Sequence, residues 1–154
     1  MASLISASFR LCTRSQENGS YREQTAIAPN FEELSKGNSE PFVASMADDF
    51  RWTVTGTTKW SRTYEGKHSV LVELFGPLRA RIKGRIRTKA HRLIAEGDYV
   101  VVEARGSNMT KSGLPYNNNY CFVFLLSDNR LKEVTEYFDT ELVTAVLGQS
   151  EGDL

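Results

Sequence analysis

Runs of alternating apolar and polar residues fill the second half of the chain, separated by short polar turns. "YVVVEARGS" (99–107), "NNNYCFVFLL" (117–126) and "RLKEVTEYF" (130–138) follow a longer stretch from about Arg79 to Ala95. Period two places successive side chains on opposite faces of a strand. Strands this closely spaced pair as hairpins, so the sheet is expected to be mostly antiparallel. Parity slips near His91: Arg87 and Lys89 are odd and charged, whereas Leu93 is odd and apolar. One extra residue flips the faces, so a bulge is expected between Ala90 and Arg92.

Helical spacing is found elsewhere. Ile27, Phe31 and Leu34 share a helix face, with Pro29 suited to the first helical position and Gly37 as the stop. Ser39 is placed to cap a short second helix carrying Phe42, Val43 and Met46. "FRWTVTG" reads as a strand, with Phe50, Trp52 and Val54 on one face. Val70, Leu71, Leu74 and Phe75 form another helical face, expected to close at Gly76-Pro77. Asp139 caps a last helix that ends at Gly148. The order of helices, strand, helix and four strands defines an α+β fold, with helices covering one face of a curved sheet. Residues 25–148 form the expected domain, with an N-terminal extension over 1–24, polar and taken as disordered, and a C-terminal tail over 149–154.

Charge and cysteine usage narrow the function. Lysines and arginines total 19, equal to the aspartates and glutamates, so no net charge draws the chain to a polyanion or an anionic membrane. The alternating cations of "RARIKGRIRTKA" are read as the solvated side of a strand, and nucleic-acid binding is not expected without a recognition motif. No apolar run is long enough for a membrane helix. Cys12 and Cys121 make no disulfide framework, which fits a reducing cytoplasm. His68 and His91 stand alone, without metal-ligand spacing, and no phosphate-cradling loop or cofactor motif is present, so neither metal nor cofactor is expected.

Polar residues converge on the last strands. If Ser127-Asp128-Asn129 is a three-residue loop with Asn129 left-handed, Tyr120 lies opposite Glu136, Phe122 opposite Val134 and Asn118 opposite Phe138. A two-residue loop instead pairs Cys121 with Glu136. Glu103 and Arg105 share a face of the preceding strand. With Glu136 they make a candidate carboxylate–guanidinium–carboxylate cluster, able to orient a water or set a general acid or base. The same three residues serve equally well as a structural ion pair.

"MADDFRWTVTG", "YEGKHSV", "LIAEGDYVVVEARGS", "YNNNYCFVF" and "LKEVTEYFDTEL", in this order and spacing, resemble the SnoaL-like branch of the nuclear transport factor 2-like superfamily. That superfamily includes ketosteroid isomerases, limonene-epoxide hydrolases and polyketide cyclases. The resemblance implies a cone-shaped α+β barrel, usually a homodimer, with a deep apolar pocket between sheet and helices. It places Arg105 at the arginine and Glu136 at one aspartate of the epoxide-hydrolase arrangement. Ser107 stands at the other aspartate, and Trp52 and Val54 at its Tyr and Asn. No carboxylate stands at Thr53–Val54, where a ketosteroid isomerase keeps its base. Glu136 or Asp139 could serve as the acid/base group of a cyclase.

The expected function is binding of a small, largely apolar molecule against Trp52, Val54, Asn118, Tyr120, Phe122 and Val134. Acid/base chemistry of isomerase, cyclase or hydrolase type would run through Glu136, Arg105 and Glu103. The alternative is a ligand-binding or protein-interaction module without chemistry.

Overall fold

The computed structural model describes residues 26–148. The expectations for the segment before residue 25, for Cys12 and for the tail after 148 lie outside the described residues. α1 (residues 26–35) is followed by α2 (Glu40–Ser45), β1 (Met46–Val54) and β2 (Thr63–Glu65). α3 (Lys67–Ser69) runs through a π-helical segment (Val70–Phe75) into α4 (Gly76–Arg81). Then come β3 (Thr88–Glu96), β4 (Tyr99–Gly106), the short β5 (Asn108–Met109) and β6 (Pro115–Tyr116), β7 (Asn119–Ser127), β8 (Arg130–Phe138) and α5 (Thr140–Leu147). No helix among the described residues is long and apolar enough to cross a membrane.

Six strands form one sheet in the order β2-β1-β8-β7-β4-β3, and β5 pairs with β6 apart from it. All neighbours in the large sheet are antiparallel except β1 and β8. This is the expected α+β architecture, a curved, mostly antiparallel sheet covered on one face by helices.

Alternation decides what goes inside. On β1, Phe50, Trp52 and Val54 are buried; on β4, Val100, Val102 and Ala104; on β7, Phe122, Phe124 and Leu126. Phe31 of α1 and Phe42 of α2 meet the sheet, with ring centroids about 6 Å from Phe124. Burying aromatic rings of this size supplies much of the drive for helix-on-sheet packing.

The bulge lies where parity predicts it. Ala90 pairs with Ala104 and Arg92 with Glu103, leaving His91 unpaired, so Ala90 and Leu93 both turn inward. The last hairpin differs from the expected three-residue loop. Ser127 pairs with Arg130 around a two-residue turn, and Asp128 (φ 52°) and Asn129 (φ 58°) are both left-handed. Such a turn matches the twist of the flanking strands. A bulge at Lys132 follows, because Leu126 pairs with Leu131 but Leu125 with Glu133. Turn and bulge each shift parity by one, so the face is kept while the register moves. Phe122, not Tyr120, is opposite Glu136, and Tyr120 is opposite Phe138.

Other expectations are corrected. The basic stretch is not one strand: Arg79 and Arg81 are helical, 83–85 bend, and β3 begins only at Thr88. Gly76-Pro77 does not end the helix. The Gly76 N–H reaches back to the Leu71 carbonyl in a π turn, and Pro77 sits in the first turn of α4, where its missing donor costs nothing. α1 is already helical at residue 26, before Pro29. Met46 opens β1 rather than belonging to α2. Ser39 is the α2 N-cap residue, but its side chain makes no capping bond; Asn38 Oδ1 accepts from the Glu40 N–H at 3.2 Å instead.

Asp139 caps α5 as expected, accepting from the N–H groups of Glu141 (3.0 Å) and Leu142 (3.1 Å). Asn118, fully buried, locks the approach to that cap. It accepts from the Asp139 N–H at 2.9 Å and donates to the Asp139 carbonyl at 3.0 Å. Replacing Asn118 by Ala leaves the Asp139 N–H without a partner and the Asp139 carbonyl with only the Val143 N–H at 3.3 Å. Urea denaturation should show a loss of roughly 2–3 kcal/mol, against about 1 kcal/mol for Asp139→Ala, which removes only a helix cap. Equal, small losses for the two variants would contradict the locking role.

Candidate active site

A cavity of about 480 Å³ opens between the inner face of the sheet and the helices. Its walls are largely apolar, with Phe42, Leu74, Phe75, Leu78, Phe122 and Phe138 among the lining residues. The π-helical segment and α4 supply Leu74, Phe75 and Leu78, so the uninterrupted helix builds one side of the cavity.

Glu136 lines this cavity from β8. It stands beside Val54 on β1 and Phe122 on β7. Its Oε2 accepts from Trp52 Nε1 at 2.7 Å. Trp52 is the diagonal neighbour across the β1–β8 pair, since its own partner is Val134. The indole is fixed by rings on several sides, with centroids 5.2 Å to Phe75 and 6.0 Å to Phe122. Among the described residues, Glu136 Oε1 accepts no hydrogen bond. Burial pushes the Glu136 carboxyl up to about 7, against the smaller opposing pull of the Trp52 N–H.

Two phenols share the cavity. Tyr116 and Tyr120 both line it, close enough for each to influence the ionisation of the other. Burial pushes Tyr116 up to about 12 and holds Tyr120 well above the ordinary range. The charge of Glu136 opposes ionisation of both, so carboxylate and phenols form one electrostatic group. Tyr120 stacks on Phe122 at 5.2 Å and 15° between planes, which fixes its ring.

The expected three-residue cluster does not form. Glu103 and Arg105 lie on the opposite face of the sheet from Glu136. Glu103 is in line with Cys121 and Tyr137, whereas Glu136 is in line with Phe122 and Val102. Outside, Glu103 pairs with Arg92 at 3.2 Å, with His91 at 3.8 Å; Arg105 is exposed beside Asn119. "YVVV" is apolar at both parities, so its first half hides which face is inner. The polar parity of Tyr99, Glu103, Arg105 and Ser107, set against small Ala104 and Gly106, was the available signal.

Of the other residues expected around a ligand, Trp52, Val54, Tyr120 and Phe122 line the cavity. Val134 is buried in the core and is not part of the lining, and Asn118 is committed to the Asp139 backbone. Tyr116 was missed because "MTKSGLPY" reads as a loop; its two-residue strand β6 is too short to show a period. Phe42, Leu74 and Phe75, which helical spacing places on apolar helix faces, form the wall.

The fold agrees with comparison to known proteins. A sequence profile of the SnoaL-like domain matches residues 30–134, most of the chain. The chain belongs to the SnoaL-like family. No curated protein matches it in sequence. Among solved structures, an inferred SnoaL-like polyketide cyclase from Jannaschia sp. CCS1 is similar with a TM-score of 0.69 and 17% identity, over 84% of this chain and 94% of that one. TerC, co-crystallised with polyporic acid, is similar with a TM-score of 0.69 and 18% identity, over 81% and 97% of the two chains. An epoxide hydrolase of limonene-epoxide-hydrolase type from M. tuberculosis gives 0.64 and 20%, over 83% and 90%. At these identities the likeness is one of fold.

A carboxyl whose folded-state value is raised binds its proton more tightly in the native state than in the unfolded chain. Native stability from this group is therefore greatest below the unfolded value of about 4.5. It declines as pH rises toward 7, and stays reduced above that. The loss is on the order of 3 kcal/mol. Glu136→Gln removes the titration. Urea denaturation between pH 5 and 8 should find the variant gaining on the wild type as pH rises; parallel curves would show that Glu136 is not held in a desolvated site.

Proposed function

We propose that this chain binds a small, largely apolar molecule in the cavity and moves a proton on it, with Glu136 as the acid/base group. The observation that supports this is one carboxyl on an apolar wall, with Oε2 held by Trp52 and Oε1 free. A group that titrates near neutrality can both take and return a proton. Tyr116 and Tyr120, kept protonated by burial, are O–H donors for charge that develops on a substrate oxygen.

In the forward step a C–H bond beside a substrate carbonyl breaks. The proton goes to Glu136 and the electron pair to the carbonyl oxygen, where the phenols stabilise it. Returning the proton at another carbon completes an isomerisation; in a cyclisation the enolate carbon attacks an internal carbonyl, the displaced π pair moves to that oxygen, and the oxygen takes the proton back from Glu136. Hydrolysis fits less well. Holding a water calls for a second charged partner, and Glu103 and Arg105 are across the sheet. The cyclase and hydrolase names of the structural neighbours are consistent with small-molecule chemistry on this fold.

We also propose a homodimer through the outer sheet face, where Ile94, Tyr99 and Tyr137 are about half exposed beside Val101 and Val123. Light scattering should give twice the chain mass; a monomer at micromolar concentration would rule it out. The thiol of Cys121, unpaired among the described residues, fits a reducing compartment.

The chemical test needs no knowledge of the product. Apolar cyclic ketones incubated with the protein in heavy water should gain deuterium at the carbon beside the carbonyl. Glu136→Gln should slow this by a factor on the order of 10²–10⁴, and Tyr116→Phe by roughly tenfold or more. Ligands that raise the melting temperature equally in wild type and Glu136→Gln, with no exchange in either, would instead identify a binding module.

A further inference from the structure

The cavity has a second polar pole, at its opening. Arg79 and Arg85 both line the cavity, and both are solvent-exposed. Trp52, Tyr116 and Phe122, all buried, and the half-buried Glu136 line it deeper in the protein. The two arginines come from different segments, α4 and the bend after Ile82, and converge on the turn between α1 and α2.

Each is held there by contacts that leave its charge unneutralised. The Arg79 guanidinium sits over the Phe75 ring at 5.7 Å and donates to Ser39 Oγ at 3.4 Å. Arg85 packs its stem on Gly37, which has φ +84° and no room for a side chain: a Cβ there would lie 2.8 Å from Arg85 Cβ. Among the described residues, no carboxylate lies within ion-pair distance of either guanidinium. Elsewhere on the surface Arg51 pairs with Glu133 and Lys132 with Asp49. Glu40 also lines the cavity at this rim. Two arginines and one glutamate leave one net positive charge, which suits a monoanion better than a phosphate dianion. Guanidinium groups bind carboxylates through charge-assisted hydrogen bonds.

We propose that the natural ligand is an amphipathic monoanion. An apolar body fills the cavity toward Glu136, and a carboxylate at its outer end is held by Arg79 and Arg85. This rests on the cavity being the ligand site, and not on the proton-transfer step. It also sets orientation, because anchoring the carboxylate at the rim presents the far end of the molecule to Glu136 and the phenols.

Calorimetric titration with biphenylcarboxylate and with its neutral amide, biphenylcarboxamide, tests this at mildly alkaline pH. The carboxylate should bind the wild type about tenfold more tightly than the amide, and the preference should shrink as salt is added. In the Arg79→Gln/Arg85→Gln double variant the preference should disappear while amide affinity is unchanged, which also reports that the cavity is intact. In Glu136→Gln the preference should remain. Equal wild-type affinities, or a preference that survives the double arginine change, overturn the anion assignment and leave the cavity as a ligand site. Absence of binding by both probes removes the cavity reading and this assignment together.

Discussion

The hydrogen bond from Trp52 to Glu136 allows a carboxyl to sit on a wall otherwise made of rings and aliphatic side chains. An ionisable group in such a place loses most of its hydration and is tolerated by holding its proton or by finding a donor. Here both happen. The indole supplies one N–H, and burial shifts the carboxyl toward its neutral form. The indole can do this only because Phe75 and Phe122 fix its plane, Phe75 from the helix that runs on through Gly76 and Phe122 from the inner face of β7. The same contacts that fill the core therefore aim the one polar donor at the acid.

The arrangement also separates two electrostatic environments by one sheet's thickness. Outside, charges pair and are screened by solvent, as with Glu103 and Arg92. Inside, one carboxyl and two phenols influence one another without counter-ions. Strand alternation alone makes the difference, since Glu136 and its neighbour Tyr137 lie on opposite faces of β8. A search for charged clusters that ignores which face is covered will join groups the sheet keeps apart, as happened with Glu103, Arg105 and Glu136.

Sequence pattern carried the α+β class, the antiparallel hairpins, the His91 bulge, the Asp139 cap and the inward side of Trp52. All rest on local rules of period two, turn residues and caps. It failed where two rules competed. The basic run 79–87 alternates like a strand, but its first part continues a helix that a glycine and a proline were expected to end. For the last hairpin, Asn129 was assigned the left-handed position alone, whereas Asp128 shares it. Tyr116 and the aromatic wall on the helices join the site only through tertiary packing, which no local period encodes.

The two offsets of that hairpin depend on each other. The tight turn shifts the alternation of β8 once, and the unpaired Lys132 shifts it back. Lengthening or shortening the turn by a single residue thus has to be matched at Lys132, or Glu136 is delivered to the solvent side while its neighbours Thr135 and Tyr137 turn inward. Loop length in this chain is consequently constrained by arithmetic as much as by sterics: changes in pairs are permissible near the turn, and odd ones exchange the acid for a neighbouring side chain.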